Sequence, residues 1–250
     1  MPNFWRVVNE VIKRSDLLLL ILDARMIDET RHPEIEHKVA LAGKSILYVI
    51  NKSDLVDSAT LEEHTKKLRP CVFMSAKMHQ GTTILRKAIM ECAKGEKVTV
   101  GVLGYPNVGK SSVINTLCGG GAPVAHKSGF TKGLQLLRAS SKLYVLDTPG
   151  VFPFKERSEV KHLLIGSIDP SRAKSPEDGA AALLEKNRHR FAEWYPEIFT
   201  QEADVCEDLD CDEMLSRLAI HWNLKKSGGL PDIRRAAIRL LMDWQRGRIL

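Results

Sequence analysis

The stretch Val98-Thr99-Val100-Gly101-Val102-Leu103-Gly104-Tyr105-Pro106-Asn107-Val108-Gly109-Lys110-Ser111 decides the fold of this 250-residue chain. Its first six residues form an apolar run of strand length, and the next eight fit the pattern G-x-x-x-x-G-K-[ST]. Val113-Ile114-Asn115-Thr116-Leu117 then reads as a helix. Strand, glycine-rich turn and helix together are the setting in which that pattern builds a phosphate cradle. The backbone N–H groups from Asn107, Val108 and Gly109 through Lys110, Ser111 and Ser112 are expected to converge on a phosphate chain, with the positive end of the helix behind them. Lys110 is expected to reach the β- and γ-phosphates, and the Ser111 hydroxyl to ligate Mg²⁺. The sequence therefore predicts a nucleotide site here.

Working outward, the same alternation continues on both sides. Leu17 to Leu22 is a continuous apolar run ending at Asp23, as in strands buried on both faces of a parallel sheet. Ser45 to Ile50 and Cys71 to Met74 read as further strands. Between them, Phe4, Val7, Val8, Val11 and Ile12 recur at helical spacing, and Pro33–Leu41, Leu61–Leu68 and Thr83–Ala93 read as helices. The last of these is expected to turn Ile84, Leu85, Ala88 and Ile89 to one side. Beyond the glycine-rich turn, Leu134 to Leu137 and Leu143 to Leu146 suggest an antiparallel pair joined by Ala139-Ser140-Ser141. The pattern predicts a three-layer α/β sandwich over residues 1–155. After about residue 158 only helical periodicity remains, over Leu183–Arg190, Met214–Trp222 and Ile233 to Trp244. Residues 156–250 are expected to form a small all-helical domain.

Each polar motif begins within a residue or two of a strand's end, where ligands gather in such sheets. Asn51-Lys52-Ser53-Asp54 follows the second strand. A carboxylate at Asp54 suits the N1–H and 2-amino hydrogens of guanine, an edge adenine cannot match, so discrimination can be large. Asn51 is expected to brace this loop and the Lys52 stem to lie over the base. Ser75-Ala76-Lys77 follows the third strand, with the Ala76 N–H expected at guanine O6 and Ser75 holding the loop. Asp147-Thr148-Pro149-Gly150 closes the last strand; Asp147 is expected to hold Mg²⁺ through water and the Gly150 N–H to meet a γ-phosphate. Thr131, inside Gly129-Phe130-Thr131-Lys132-Gly133, is the candidate for a second hydroxyl on Mg²⁺. Lys110, Thr131 and Gly150 are the candidate catalytic groups, and Ser111, Thr131 and Asp147 the candidate metal ligands.

These five motifs resemble those of the Ras-like GTPase superfamily, but in altered order: the Asn51–Asp54 and Ser75–Lys77 loops precede the phosphate cradle. That order, and Asp23-Ala24-Arg25 after the first strand, resemble the circularly permuted GTPases of the YlqF/RbgA type. The resemblance implies GTP and GDP as ligands, with Mg²⁺, and hydrolysis of GTP. It implies a K⁺ near the β/γ bridge held by Asn107, and a helical tail that binds RNA of the large ribosomal subunit. The residue that orients attacking water in Ras falls here at Val151, which cannot do so, and no histidine precedes His32. Slow intrinsic turnover, raised by a partner, is the expectation. A guanine-nucleotide-dependent binding switch with little hydrolysis is the alternative.

Bulk properties agree with this. A net charge of +6 and a pI near 9.0 favour an anionic partner, most plausibly RNA. The five cysteines are odd in number and scattered, so no disulfide framework is implied; Cys206 and Cys211 lack companions for a zinc set. No signal peptide is recognisable at the N-terminus and the longest apolar run is too short for a bilayer, so a cytoplasmic protein with neither membrane nor DNA as partner is expected. In the tail, Arg235, Arg239 and Arg246 form a basic stripe beside an apolar one, while residues 202–213 are strongly acidic.

Overall fold

The computed structural model describes residues 4–119, 134–147, 158–198 and 209–249, in two compact units, Met1–Glu156 and Arg157–Leu250. The first contains α1 (Phe4–Arg14), β1 (Leu17–Asp23), α2 (Ile27–Thr30), α3 (Pro33–Leu41), β2 (Ser45–Asn51), α4 (Ser58–Lys67), β3 (Cys71–Phe73), α5 (Thr82–Cys92), β4 (Val98–Leu103), α6 (Lys110–Cys118), β5 (Gln135–Arg138) and β6 (Leu143–Asp147). They build a six-stranded sheet in the order β3-β2-β1-β4-β6-β5, parallel throughout except for β5 against β6.

β1 lies at the centre because its sequence permits nothing else. Leu17-Leu18-Leu19-Leu20-Ile21-Leu22 has apolar side chains on both faces of the pleat, and every residue of the strand is buried. Leu18, Leu20 and Leu22 pack with Phe4, Val8, Val11 and Ile12 of α1 and with Ile35 and Val39 of α3. Leu19 and Ile21, pointing the other way, are fully buried too. Burying side chains of this kind contributes about 1.5–3 kcal/mol each. The sheet has a switch point between β1 and β4: one run of strands grows outward from β1 and the other from β4. Ligands of open α/β sheets bind at the carboxyl edge of such a point.

Several expectations need correction. Ile84 does not share the buried side of α5 with Leu85 and Ile89 but stands 62% exposed. The one-turn helix α2 has no periodic signature and is closed instead by Thr30, whose hydroxyl donates to Met26 O at 2.6 Å. In the second unit, the segment expected to be helical over Leu183–Arg190 straddles a boundary. A helix runs Pro176–Lys186, followed by a separate 3₁₀ turn Arg188–Arg190.

The second unit is helical as its periodicity predicts, with the helices Glu159–Leu164, Pro176–Lys186, Cys211–His221 and Ile233–Gln245 around Leu163, Leu183, Phe191, Met214, Leu218, Leu240 and Trp244. Asp210 caps the third of these, accepting the Glu213 N–H at 2.7 Å, so one end of the acidic run serves a helix start. The Trp244 indole donates to Leu164 O at 2.9 Å and ties the last helix to the first.

Candidate functional site

Register decides what meets at the carboxyl edge. β1 and β2 run in step to their ends, so Asp23 lies opposite Asn51. β4 stops with Leu103 beyond Val102, level with Leu20, and the chain turns tightly beneath β1. A Cβ on Gly104 (φ 147°) would stand 2.5 Å from Ile21 O, and one on Gly109 (φ 95°) 2.2 Å from Asn51 Nδ2, so both positions demand glycine. Gly109 then opens α6, with Lys110 as its first residue.

Asn51 is the hub of these loops. Only 3% exposed, it donates from Nδ2 to Val108 O at 2.9 Å and accepts at Oδ1 from Ala76 N at 3.0 Å. One side-chain amide thus joins the turn after β2, the turn after β3 and the glycine-rich turn after β4. The Ser75 hydroxyl accepts from Met78 N at 3.1 Å and closes its own loop. The expectation that the Ala76 N–H stands free for a base oxygen needs correction, because Asn51 already engages it. Lys77, next in that turn, is exposed.

Asp54 sits in the 3₁₀ turn Ser53–Leu55, launched by a left-handed Lys52 (φ 63°, ψ 32°). Its Oδ1 is buried and has no hydrogen-bond partner among the described residues. A carboxylate oxygen withdrawn from water without a donor is costly, and the described residues leave that cost unmet.

Lys52 does not turn to Asp54. Its ammonium lies 2.6 Å from Asp23 Oδ2, and the same carboxylate receives Arg25 through the backbone N and Nε at Oδ1, both 3.1 Å, and Nη2 at Oδ2, 2.9 Å. Burial pushes the Asp23 carboxyl upward, but the Arg25 guanidinium and the Lys52 ammonium outweigh it and hold it down at about 2. Burial lowers Lys52 in turn, against the attraction of Asp23. In the sequence Asp23-Ala24-Arg25 carries only a resemblance; nothing in the spacing announces that its carboxylate reaches a lysine 29 residues on.

At the phosphate end, Lys110 is buried and its ammonium donates to Gly104 O at 2.9 Å and Tyr105 O at 2.5 Å. Burial pulls its pKa down to about 8, with the Asp147 carboxylate opposing. Asp147 ends β6, while Ser111, Ser112 and Asn107 (φ 61°) are exposed around the turn. His32, which no sequence signal marks, stacks its ring between Phe4 and Tyr105 at centroid distances of 5.8 and 5.9 Å. Thr131, Gly150 and Val151 lie outside the described residues.

A family model described as "50S ribosome-binding GTPase" matches residues 99–190. The match starts within β4, leaving the Asn51 and Ser75 loops ahead of it although their strands, β2 and β3, continue the same sheet on the far side of β1. A protein of Methanocaldococcus jannaschii named "Uncharacterized GTP-binding protein MJ1464" is 34% identical over 98% of this chain and 65% of its own length. "Nuclear GTP-binding protein NUG1" of Saccharomyces cerevisiae is 30% identical over 98% of this chain and 55% of its own length. Among solved structures, the GDP-bound form of YlqF superposes with a TM-score of 0.66 at 22% identity, covering 96% of this chain and 94% of that one. YlqF from T. maritima bound to GNP gives 0.64 at 22% identity, with 98% and 94% covered.

The chain has the fold of YlqF and is similar in sequence to GTP-binding proteins.

The chain spans between half and two thirds of the length of the two curated relatives described above, both of them named as GTP-binding proteins. Its site suits the ligand: the orphaned Asp54 oxygen at one end, the glycine turn with Lys110 at the other. Ser111 and Asp147 offer a hydroxyl and a carboxylate, the hard oxygen donors that Mg²⁺ takes alongside phosphates and water. In the second unit, Arg235, Arg239, Arg246 and Arg248 line a shallow cavity of about 370 Å³ floored by Leu224, Ile238 and Met242. No described helix is long and apolar enough to cross a membrane.

Proposed function

We propose that this chain hydrolyses GTP to GDP and phosphate as an assembly factor for the large ribosomal subunit. The observation carrying this reading is the Asn51 hub, which fastens the prospective base loops to the phosphate turn and so sets one nucleotide across the switch point. Asp54 receives the guanine N1–H and 2-amino group, and the Lys52 stem covers the base. The amide of Lys77 takes over the O6 contact that Ala76 was expected to make. Val108, Gly109, Lys110, Ser111 and Ser112 hold the phosphates. Mg²⁺ supplies charge stabilisation at the transferred phosphoryl group, held by Ser111 and Asp147 with Thr131. Asn107 is the candidate for a K⁺ beside the β/γ bridge.

The ribosomal partner is supported by the description of the matching family model and by the arginines of the last helix. Arg235, Arg239 and Arg246 present guanidinium groups suited to RNA phosphates. Residues 158–250 begin eight positions after Gly150, so a shift of that glycine on hydrolysis is transmitted along the chain. The expected compartment is the cytoplasm. Val151, at the position where Ras carries its water-orienting residue, supports a slow intrinsic rate and keeps a second reading, an RNA-binding switch with little hydrolysis, in play. Phosphate release in K⁺ buffer, with and without large ribosomal subunits and with Lys110→Ala as blank, tests both. Stimulation by the subunit is expected; nucleotide-dependent binding without stimulation selects the switch.

A further inference from the structure

Around the base end of the site four charged side chains come together: Asp23, Arg25, Lys52 and Asp54. Lys52 and Asp54 are two residues apart in one tight turn, and each is within the other's electrostatic reach. Left to themselves they would pair, and the pair would occupy the acceptor that a guanine needs. Instead the Lys52 ammonium is drawn to Asp23, while Asp54 Oδ1 stays buried without a partner. Asp23 can do this because it is fixed from three directions: its strand register beside Asn51, the Arg25 fork on both its oxygens, and its near-complete burial.

We infer that Asp23 is a positioning residue for base specificity, whose carboxylate holds Lys52 away from Asp54 so that Asp54 remains free to accept the guanine edge. Arg25 serves the same end by keeping the Asp23 carboxylate aimed. The ion pair also fixes the end of Lys52, its ammonium anchored at Asp23, which a lysine paired within its own turn would lack. This rests on Asp54 being the guanine acceptor.

The test compares Kd for GDP and IDP, which differ by the 2-amino group alone, by equilibrium titration of the full chain. The native protein is expected to prefer GDP about tenfold or more, the size of one charge-assisted hydrogen bond. Asp23→Asn keeps an acceptor for the Arg25 Nε but loses its hold on Lys52. That preference is expected to fall by about fivefold or more as Lys52 turns to Asp54. In Asp23→Asn/Lys52→Gln nothing remains in that turn to quench Asp54, and the preference is expected to return. Equal weakening of GDP and IDP by Asp23→Asn, with the ratio intact, would overturn the inference. Should Asp23→Asn fail to fold, Lys52→Gln alone decides: it leaves Asp23 with Arg25 and is expected to weaken both nucleotides by one common factor, and a collapsed ratio would overturn the inference. Asp54→Ala separates this from the underlying reading. Loss of the preference there supports Asp54 as acceptor, whereas a preference surviving Asp54→Ala removes that reading and the inference with it.

Discussion

Replacing Asn51 by alanine removes both bonds that join the three loops of the site. Val108 O loses its donor at 2.9 Å and the Ala76 N–H its acceptor at 3.0 Å, in a place only 3% exposed at the side chain. Water has poor access, so each stranded group costs about 1–3 kcal/mol, and the total is about 2–6 kcal/mol of stability in the first unit. The cost is local to the carboxyl edge, where hydrogen exchange followed by mass spectrometry reads it. Nucleotide-free protein is expected to exchange faster by at least about thirtyfold in peptides covering Leu17–Asp23 and Val98–Leu103, the ratio that 2 kcal/mol implies. Peptides from Ile233–Gln245 serve as the unaffected internal reference. Asn51→Asp is the sharper comparison, since it keeps an acceptor for Ala76 but sets a carboxylate oxygen against the Val108 carbonyl oxygen; it is expected to be at least as damaging. Exchange unchanged within a factor of two in Asn51→Ala would refute the claim that this amide holds the loops together.

Other outcomes follow from the same geometry. Lys110 has its pKa lowered to about 8, so between there and its ordinary value near 10.5 the unfolded chain binds the extra proton. Stability is therefore expected to rise with pH across that window by up to about 3 kcal/mol, and Lys110→Met to flatten the rise, as read by urea melts at successive pH. Phosphates favour the charged lysine, so GDP binding is expected to take up a proton near pH 8 and weaken above it, which calorimetry in buffers of different ionisation enthalpy detects. Gly109→Ala forces a Cβ to 2.2 Å from Asn51 Nδ2 at a φ of 95°, and is expected to cost at least about 2 kcal/mol and more than tenfold in GDP affinity. Trp244→Phe strands Leu164 O and is expected to destabilise the second unit by about 1–3 kcal/mol, seen as faster exchange in Glu159–Leu164.

What the sequence made legible was whatever depends on nearest neighbours along the chain. Leu17 to Leu22 could only be a strand buried on both faces, and Gly104 to Gly109 could only be a tight turn between strand and helix. The hub role of Asn51 was half legible: its loop was expected to need bracing, but the Val108 partner lies 57 residues away and only the sheet order brings it near. The pairing of Lys52 with Asp23 was illegible for the same reason. The helix Pro176–Lys186 was read too late because Gly179, unfavourable in a helix interior, masks its start. In three dimensions that glycine earns its place, since a Cβ there would press to 2.6 Å from Leu163 Cδ1.

The neighbourhood of β1 and β4, far apart in the chain, also has a temporal side. During synthesis the segment up to Cys92 emerges with its own strands β1, β2 and β3 already able to pair. The β1 flank reserved for Val98–Leu103 is then bare, a greasy ribbon edge with unmet backbone donors and acceptors. Nascent chains in which Cys92 has emerged but Val98 has not are thus the ones most in need of a chaperone.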